Sequence, residues 1–131
     1  MAIAEAELGS FKITIADAGA TQRYYEQAFG MAAGDPIIGP GFREIVMKSP
    51  GSEFAIVLYE KEGLEIVRGN SYGPICFYVA DIDASLARAE VAGGKSTGPV
   101  QSFGTVKYVF LETPDGHVIE LIQRPPNPLS P

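Results

Sequence analysis

Four side chains in this sequence of 131 residues could do chemistry on a small molecule: Glu120, the sole histidine His117, the sole cysteine Cys76, and Lys12. Their spacing limits what that chemistry can be. His117 lies three residues before Glu120, so in an extended strand the two point to opposite sides. We assign His117 to the surface of a turn. With one histidine and no serine in a strained elbow sequence, a Ser-His-Asp triad has no basis. No second acid shares a face with Glu120, so a glycosidase pair is not built. The glycines of GPG at 39–41 and of FGT at 103–105 serve turns and do not make a phosphate loop. Glu120 as a general acid or base, Lys12 as its ion-pair partner, and Cys76 as a small buried hydrophobic side chain remain.

The elements that must position these residues come from a repeat. IADAGATQRYYEQAFG at 15–30 is echoed by VADIDASLARAEVAGG at 79–94. Asp17 matches Asp81, Ala20 matches Ala84, Ala28 matches Ala92 and Gly30 matches Gly94, all at an offset of 64. Pro50 and Pro114, in KSPGSEFAIVL and ETPDGHVIELI, keep that offset. Two copies in one short chain predict two similar supersecondary units within one domain. Each is too small to be comfortable alone, so they share a core or pair with another chain.

Each copy reads strand, helix, then three strands. Alternation over Phe11–Ile15 predicts a strand, and the neighbourhood of Asp17 opens a helix that Gly30 ends. Strands follow at 36–39 and 43–48, and after the turn Ser49–Ser52 at 53–59. In the second copy Ile75–Val79 is a strand. Asp81 or Asp83 caps a helix that Gly93 and Gly94 stop. Strands follow near 98–103, 105–112 and, past the turn Thr113–Gly116, at 117–122. The domain is therefore α+β, with two tandem βαβββ modules forming a curved, cup-like mixed sheet and helices outside. The modules span about 10–60 and 73–124, joined by a connector at 61–72 and followed by a proline-rich tail at 125–131.

Alternation places Phe11, Ile13 and Ile15 toward the first helix and Ser10, Lys12 and Thr14 on the far side. In the second copy Ile75, Phe77 and Val79 face the helix, while Pro74, Cys76 and Tyr78 face away. At the constant offset Phe54, Ile56 and Leu58 match Val118, Glu120 and Ile122, also on the far side. Such a cup, mostly apolar with few polar groups, is the form of a small-molecule site. Its expected lining is Ser10, Lys12, Thr14, Phe54, Ile56, Leu58, Cys76, Tyr78, Tyr108 and Glu120. For Tyr108 and Phe110 core packing is an equal alternative. Phe42 and Phe103 sit in glycine-bearing loops that could form the lips.

Paired βαβββ units closing on Thr113-Pro-Asp-Gly-His-Val-Ile-Glu-Leu121 resemble the glyoxalase, bleomycin-resistance and ring-cleaving dioxygenase family, the vicinal oxygen chelate superfamily. The segment Tyr24-Tyr25-Glu26-Gln27-Ala28-Phe29-Gly30 resembles that family's first-helix signature, and the similarity covers residues 10–123. The resemblance implies a divalent metal held by the first and last strands of each half. The matching positions are Ser10, Ile56, Pro74 and Glu120, of which only Glu120 is a strong donor. A first-row metal site wants three or four such donors. We therefore expect no metal and no cofactor.

The leading reading is metal-independent binding of a small hydrophobic or aromatic molecule, of the sequestering or resistance type. The alternative is a metal-independent lyase, isomerase or cyclase with Glu120 as general acid or base. A metal enzyme whose ligands are offset by a residue or two, and a structural paired domain, follow. The resemblance implies a homodimer. The net charge of −6 argues against nucleic acid and anionic membrane surfaces as partners. No run approaches the length of a membrane span. The start MAIAEAELGS lacks the pattern of a secretory signal. With the lone cysteine, this gives a cytoplasmic expectation.

Overall fold

The computed structural model describes residues 5–71 and 73–125. The expected element order holds. The first module runs β1 (Ser10–Thr14), α1 (Ala18–Phe29), β2 (Ala32–Ala33), β3 (Ile37–Gly39), β4 (Phe42–Lys48) and β5 (Ala55–Lys61). The second runs β6 (Ile75–Tyr78), α2 (Ile82–Val91), β7 (Lys95–Ser96), β8 (Gln101–Phe103), β9 (Val106–Glu112) and β10 (Val118–Gln123). The two-residue strands β2 and β7 carry no alternation to read and add to the expected set. The chain forms two compact units, one of residues 1–26 and 30–67, the other of residues 27–29 and 68–131. Among the described residues no helix is long and apolar enough to cross a membrane.

Each unit holds one mixed five-stranded sheet. In the first the order is β1-β5-β4-β2 with β3 also on β4; in the second it is β6-β10-β9-β7 with β8 on β9. The first strand of each unit lies parallel to the last, and the last lies antiparallel to the long strand before it. A parallel neighbour needs a long crossover, which the helix and the intervening strands supply.

Both helices start in the same way. Asp17 and Asp81 are the N-caps, and their Oδ1 atoms accept from the backbone N–H groups of Ala20 at 3.0 Å and Ala84 at 3.2 Å. A second acceptor comes from the last strand of each unit. Glu60 Oε2 takes the N–H of Ala18 at 2.8 Å, and Gln123 Oε1 takes that of Ile82 at 2.8 Å. Two otherwise orphaned donors are thus satisfied at each helix start. Gly30 ends α1 at φ 67°, a left-handed conformation natural to glycine. The second helix ends on Ala92 in the right-handed region, one residue before the expected glycines.

Register fixes the faces, because cross-strand partners project to one side. Ile13 pairs with Leu58 and Leu58 with Ile45, and all three are buried. These residues share the side of Glu60, which reaches α1. In the second unit Ile119 and Leu121, with Leu111 and Val109, form the matching buried layer on the side of Gln123. Phe11, expected against the helix, is 46% exposed near the start of β1.

The sequence-derived facing of β5 is corrected here. Ile56 and Leu58 face the α1 side, at 8% and 0% exposure, and do not line the far side. Phe54 precedes the strand. The reason is turn length. The turns Ser49–Ser52 and Thr113–Gly116 match at the offset of 64, each closed by a hydrogen bond from its fourth N–H to its first carbonyl. Two residues, Glu53 and Phe54, then precede β5, whereas His117 alone precedes β10. The extra residue shortens the offset to 63 and reverses the facing of the whole strand. The structural equivalent of Glu120 is Val57, because Val57 pairs with Lys12 as Glu120 pairs with Cys76.

Candidate functional site

On the far face of the second sheet the side chains lie in rows set by register. One row holds Cys76, Glu120 and Phe110. The next holds Tyr78, Ile122, Tyr108 and Gln101. Beyond them Val106 pairs with Phe103. Glu120, Ile122, Tyr108, Val106 and Phe103 line a cleft of about 250 Å³. The register decides between the two placements of Tyr108 and Phe110: both belong to this face, with ring centroids 5.9 Å apart in an edge-to-face contact. The Tyr108 hydroxyl donates to Gln101 Oε1 at 3.0 Å, which holds the ring in place. Phe103 and Tyr78 are 80% and 64% exposed. Large rings left open around a concavity make a surface suited to flat apolar molecules.

Glu120 is half-buried at the centre of this face. Its one hydrogen bond among the described residues comes from the Cys76 thiol, with Sγ to Oε1 at 3.6 Å. A thiol is a weak donor, so the carboxylate keeps most of its accepting capacity. Cys76 is exposed and not the small buried hydrophobe that a lone cysteine suggested, because it lies on the open far face of β6. Partial burial pushes its pKa up, and the charge of Glu120 and the hydrogen bond to it push further the same way. Cys76 is therefore a protonated donor near neutral pH and a poor nucleophile. On the same face, beyond the residues that line the cleft, the Arg124 guanidinium lies 3.8 Å from the centroid of the Tyr78 ring. Sequence reasoning missed Arg124, although its even spacing from Glu120 and Ile122 could have revealed it.

The first unit treats its far face differently. Lys12 finds its partner within the unit: Nζ is 2.9 Å from Glu44 Oε1 and 5.5 Å from the centre of the Tyr59 ring. The ion pair that the sequence allowed with Glu120 is thus made with Glu44, two strands away from β1. Val57 is buried, Ser10 is exposed and Thr14 is half-buried. Thr14 borders a separate cleft of about 730 Å³, with Ile38, Phe42, Arg43, Lys61 and Leu64 among its walls.

His117 is a second correction. It is buried at 8% exposure and is not on the surface of its turn. Its Nδ1 is 3.0 Å from Asp115 Oδ2, and the Arg68 guanidinium lies 3.2 and 3.3 Å from the two ring nitrogens. Arg68 also donates to the Asp115 backbone carbonyl and contacts its carboxylate at 3.4 Å. The backbone N–H of His117 donates to Thr113 Oγ1 at 3.1 Å. The cluster ties the connector to the turn before β10. Gly116 in that turn has φ 90° and lies against Arg68, a position where any other residue's backbone would be strained.

The model of the Glyoxalase/Bleomycin resistance protein/Dioxygenase superfamily matches residues 7–121. The chain belongs to this superfamily. Among curated relatives, a probable lactoylglutathione lyase from Vibrio cholerae is 44% identical over 59 residues, 43% of this chain and 42% of that protein. A second from Vibrio parahaemolyticus is 43% identical over 58 residues, 42% of this chain and 41% of that protein. The matched stretch thus spans under half the length of the curated relatives. Glyoxalase I from Zea mays superposes with a TM-score of 0.82 at 25% identity, over 92% of this chain and 46% of that one. An antibiotic binding protein from a Streptomyces species superposes with a TM-score of 0.76 at 21% identity, over 95% of this chain and 100% of that one. The last likeness shows the fold alone.

The superfamily resemblance implies a metal, and the side chains present do not fit one. On the strands that would supply ligands, the far-face pairs at the level of Glu120 are Lys12 with Val57 in the first unit and Cys76 with Glu120 in the second. Lys12 is a cation and Val57 an alkyl group, and Cys76 brings one lone thiol whose pKa its surroundings raise. Glu120 is left as the single strong donor, where an ion wants three or four. Among the described residues no three of His, Cys, Asp and Glu come together as a ligand set.

Proposed function

We propose that this superfamily member binds a small hydrophobic or aromatic molecule on the far face of its second sheet, without a metal, as a sequestering binder. One observation carries the reading: an open cleft with aromatic walls holds a half-buried carboxylate that has a single weak donor among the described residues. Ring stacking and apolar burial supply the affinity, and Glu120 supplies orientation through one hydrogen bond. Thermal melting against a panel of small aromatic and aliphatic compounds tests it. A binder present at a hundred times its dissociation constant stabilises the fold by about 2.7 kcal/mol. A panel that leaves the melting temperature unchanged throughout contradicts the proposal.

A second reading is favoured by the same carboxylate. Glu120, facing a cleft with its accepting capacity mostly unused, is placed to move a proton on a bound molecule as a lyase, isomerase or cyclase would. The name lactoylglutathione lyase given to the two Vibrio relatives points to the same broad class. Turnover that survives Glu120→Gln would exclude this role.

We further propose a homodimer in the cytoplasm. β1 and β6 end the hydrogen-bonded orders of their sheets, and open strand edges favour pairing with another chain. Light scattering that gives the mass of one chain at micromolar concentration would contradict the dimer. The lone thiol suits a reducing compartment, which cell fractionation checks.

A further inference from the structure

Resting on the proposed ligand face around Glu120, we infer that the ligand is bipolar: an aromatic body with a hydrogen-bond donor at one end and an acidic group at the other. The face carries two polar groups of opposite kind that have few protein partners among the described residues. Glu120 receives only the Cys76 thiol at 3.6 Å among the described residues. A hydroxyl or N–H on the ligand satisfies it far better. Arg124 has the Tyr78 ring beneath it at 3.8 Å and no carboxylate partner among the described residues. A guanidinium stacked on a ring keeps its N–H edge free, and that edge is shaped to take a carboxylate in a forked contact.

The ground between them is apolar and aromatic. Ile122 follows Glu120 on the same face, flanked in register by Tyr78 and Tyr108. The Tyr108 hydroxyl is already committed to Gln101, so this residue offers a ring and no competing donor. Successive rows on one face of a strand are roughly 6.6 Å apart. Arg124 follows the last residue of β10, four positions past Glu120, and its stacking on Tyr78 draws the cation toward the row of Ile122. The polar ends of the ligand are therefore separated by roughly 7–13 Å. That is the reach of one or two aromatic rings.

Four probes decide the question: biphenyl, 4-hydroxybiphenyl, biphenyl-4-carboxylate and 4′-hydroxybiphenyl-4-carboxylate, each titrated calorimetrically into the full chain and into Glu120→Met and Arg124→Met. Both substitutions lie on an open face, and thermal melts verify that each variant folds. The doubly substituted probe should bind about tenfold tighter than either singly substituted one, the scale of one charge-assisted hydrogen bond. Arg124→Met should erase the advantage of the carboxylate and leave that of the hydroxyl, and Glu120→Met should do the reverse. Equal affinities for all four probes, or two variants that lose both advantages alike, would overturn the polarity and leave the binding face standing. Failure of every biphenyl to bind would remove the binding face, and the polarity with it.

Discussion

The two modules of this chain share a plan and differ on one face. Lys12, Val57 and Glu44 in the first unit correspond to Cys76, Glu120 and Tyr108 in the second. The first unit sets its cation against its carboxylate, 2.9 Å apart. The second puts a thiol where the lysine was and an acid where the valine was, so its carboxylate has little to hold. The helix N-caps, the hydrogen-bonded turns before the last strands and the buried aliphatic layers are alike in both. The contrast separates what the fold requires from what a ligand requires: features repeated in both copies serve folding, and features of one copy are free for function.

The sharpest way to break that comparison is at the shared core. Leu58 and Leu121 occupy equivalent positions and are both fully buried. Leu58→Ala and Leu121→Ala should each cost about 2–5 kcal/mol in chemical denaturation. Ile56→Ala should lower stability in the same way and leave ligand affinity intact. A loss of affinity without a loss of stability at Ile56 would restore the facing drawn from the constant offset.

The helix starts come next. Asp17→Ala and Asp81→Ala should each cost about 1 kcal/mol, since each removes one side-chain acceptor from an otherwise similar cap. A cost at one site only would show that the two caps are not equivalent.

Most of the fold is legible in the sequence, because repeated aspartates, glycines and Pro50 with Pro114 mark helix starts, helix ends and turns. The facing of β5 is not, because it depends on whether one or two residues separate a turn from a strand, and period-two alternation turns that single residue into a reversed strand. Ala55-Ile-Val-Leu58 is continuously apolar and buried, so it carries no alternation that would expose the slip. Glu120, Cys76 and Tyr78 are legible from strand parity, whereas the face of Tyr108 is not, because Tyr108 and Phe110 alternate with the equally apolar Val109 and Leu111 and only the pairing with β10 places them. The burial of His117 is hidden because its partner Arg68 lies 49 positions away in a connector without periodicity.

A chemical test sharpens the contrast at Cys76. Burial, then the Glu120 charge, then the hydrogen bond to Glu120 raise its thiol pKa. Glu120→Gln removes the second cause and weakens the third, so the thiol becomes more acidic. At pH 8 the thiolate fraction, and with it the rate of iodoacetamide alkylation, should therefore rise severalfold over the parent. An unchanged rate would mean that the two groups do not interact in solution.

The smallest effect belongs to the first unit. Lys12→Met removes a half-exposed ion pair with Glu44, and thermal unfolding should register about 0–1 kcal/mol. A loss of several kcal/mol would give the pair a structural weight that the second unit does without.

Protein-observed NMR during titration with an aromatic binder from the thermal panel tests the central claim most directly. The account predicts shift changes concentrated at Tyr108, Glu120 and Ile122, saturating together as one site fills. Changes confined to the cleft bordered by Thr14, Phe42 and Arg43, with the second sheet silent, would contradict it.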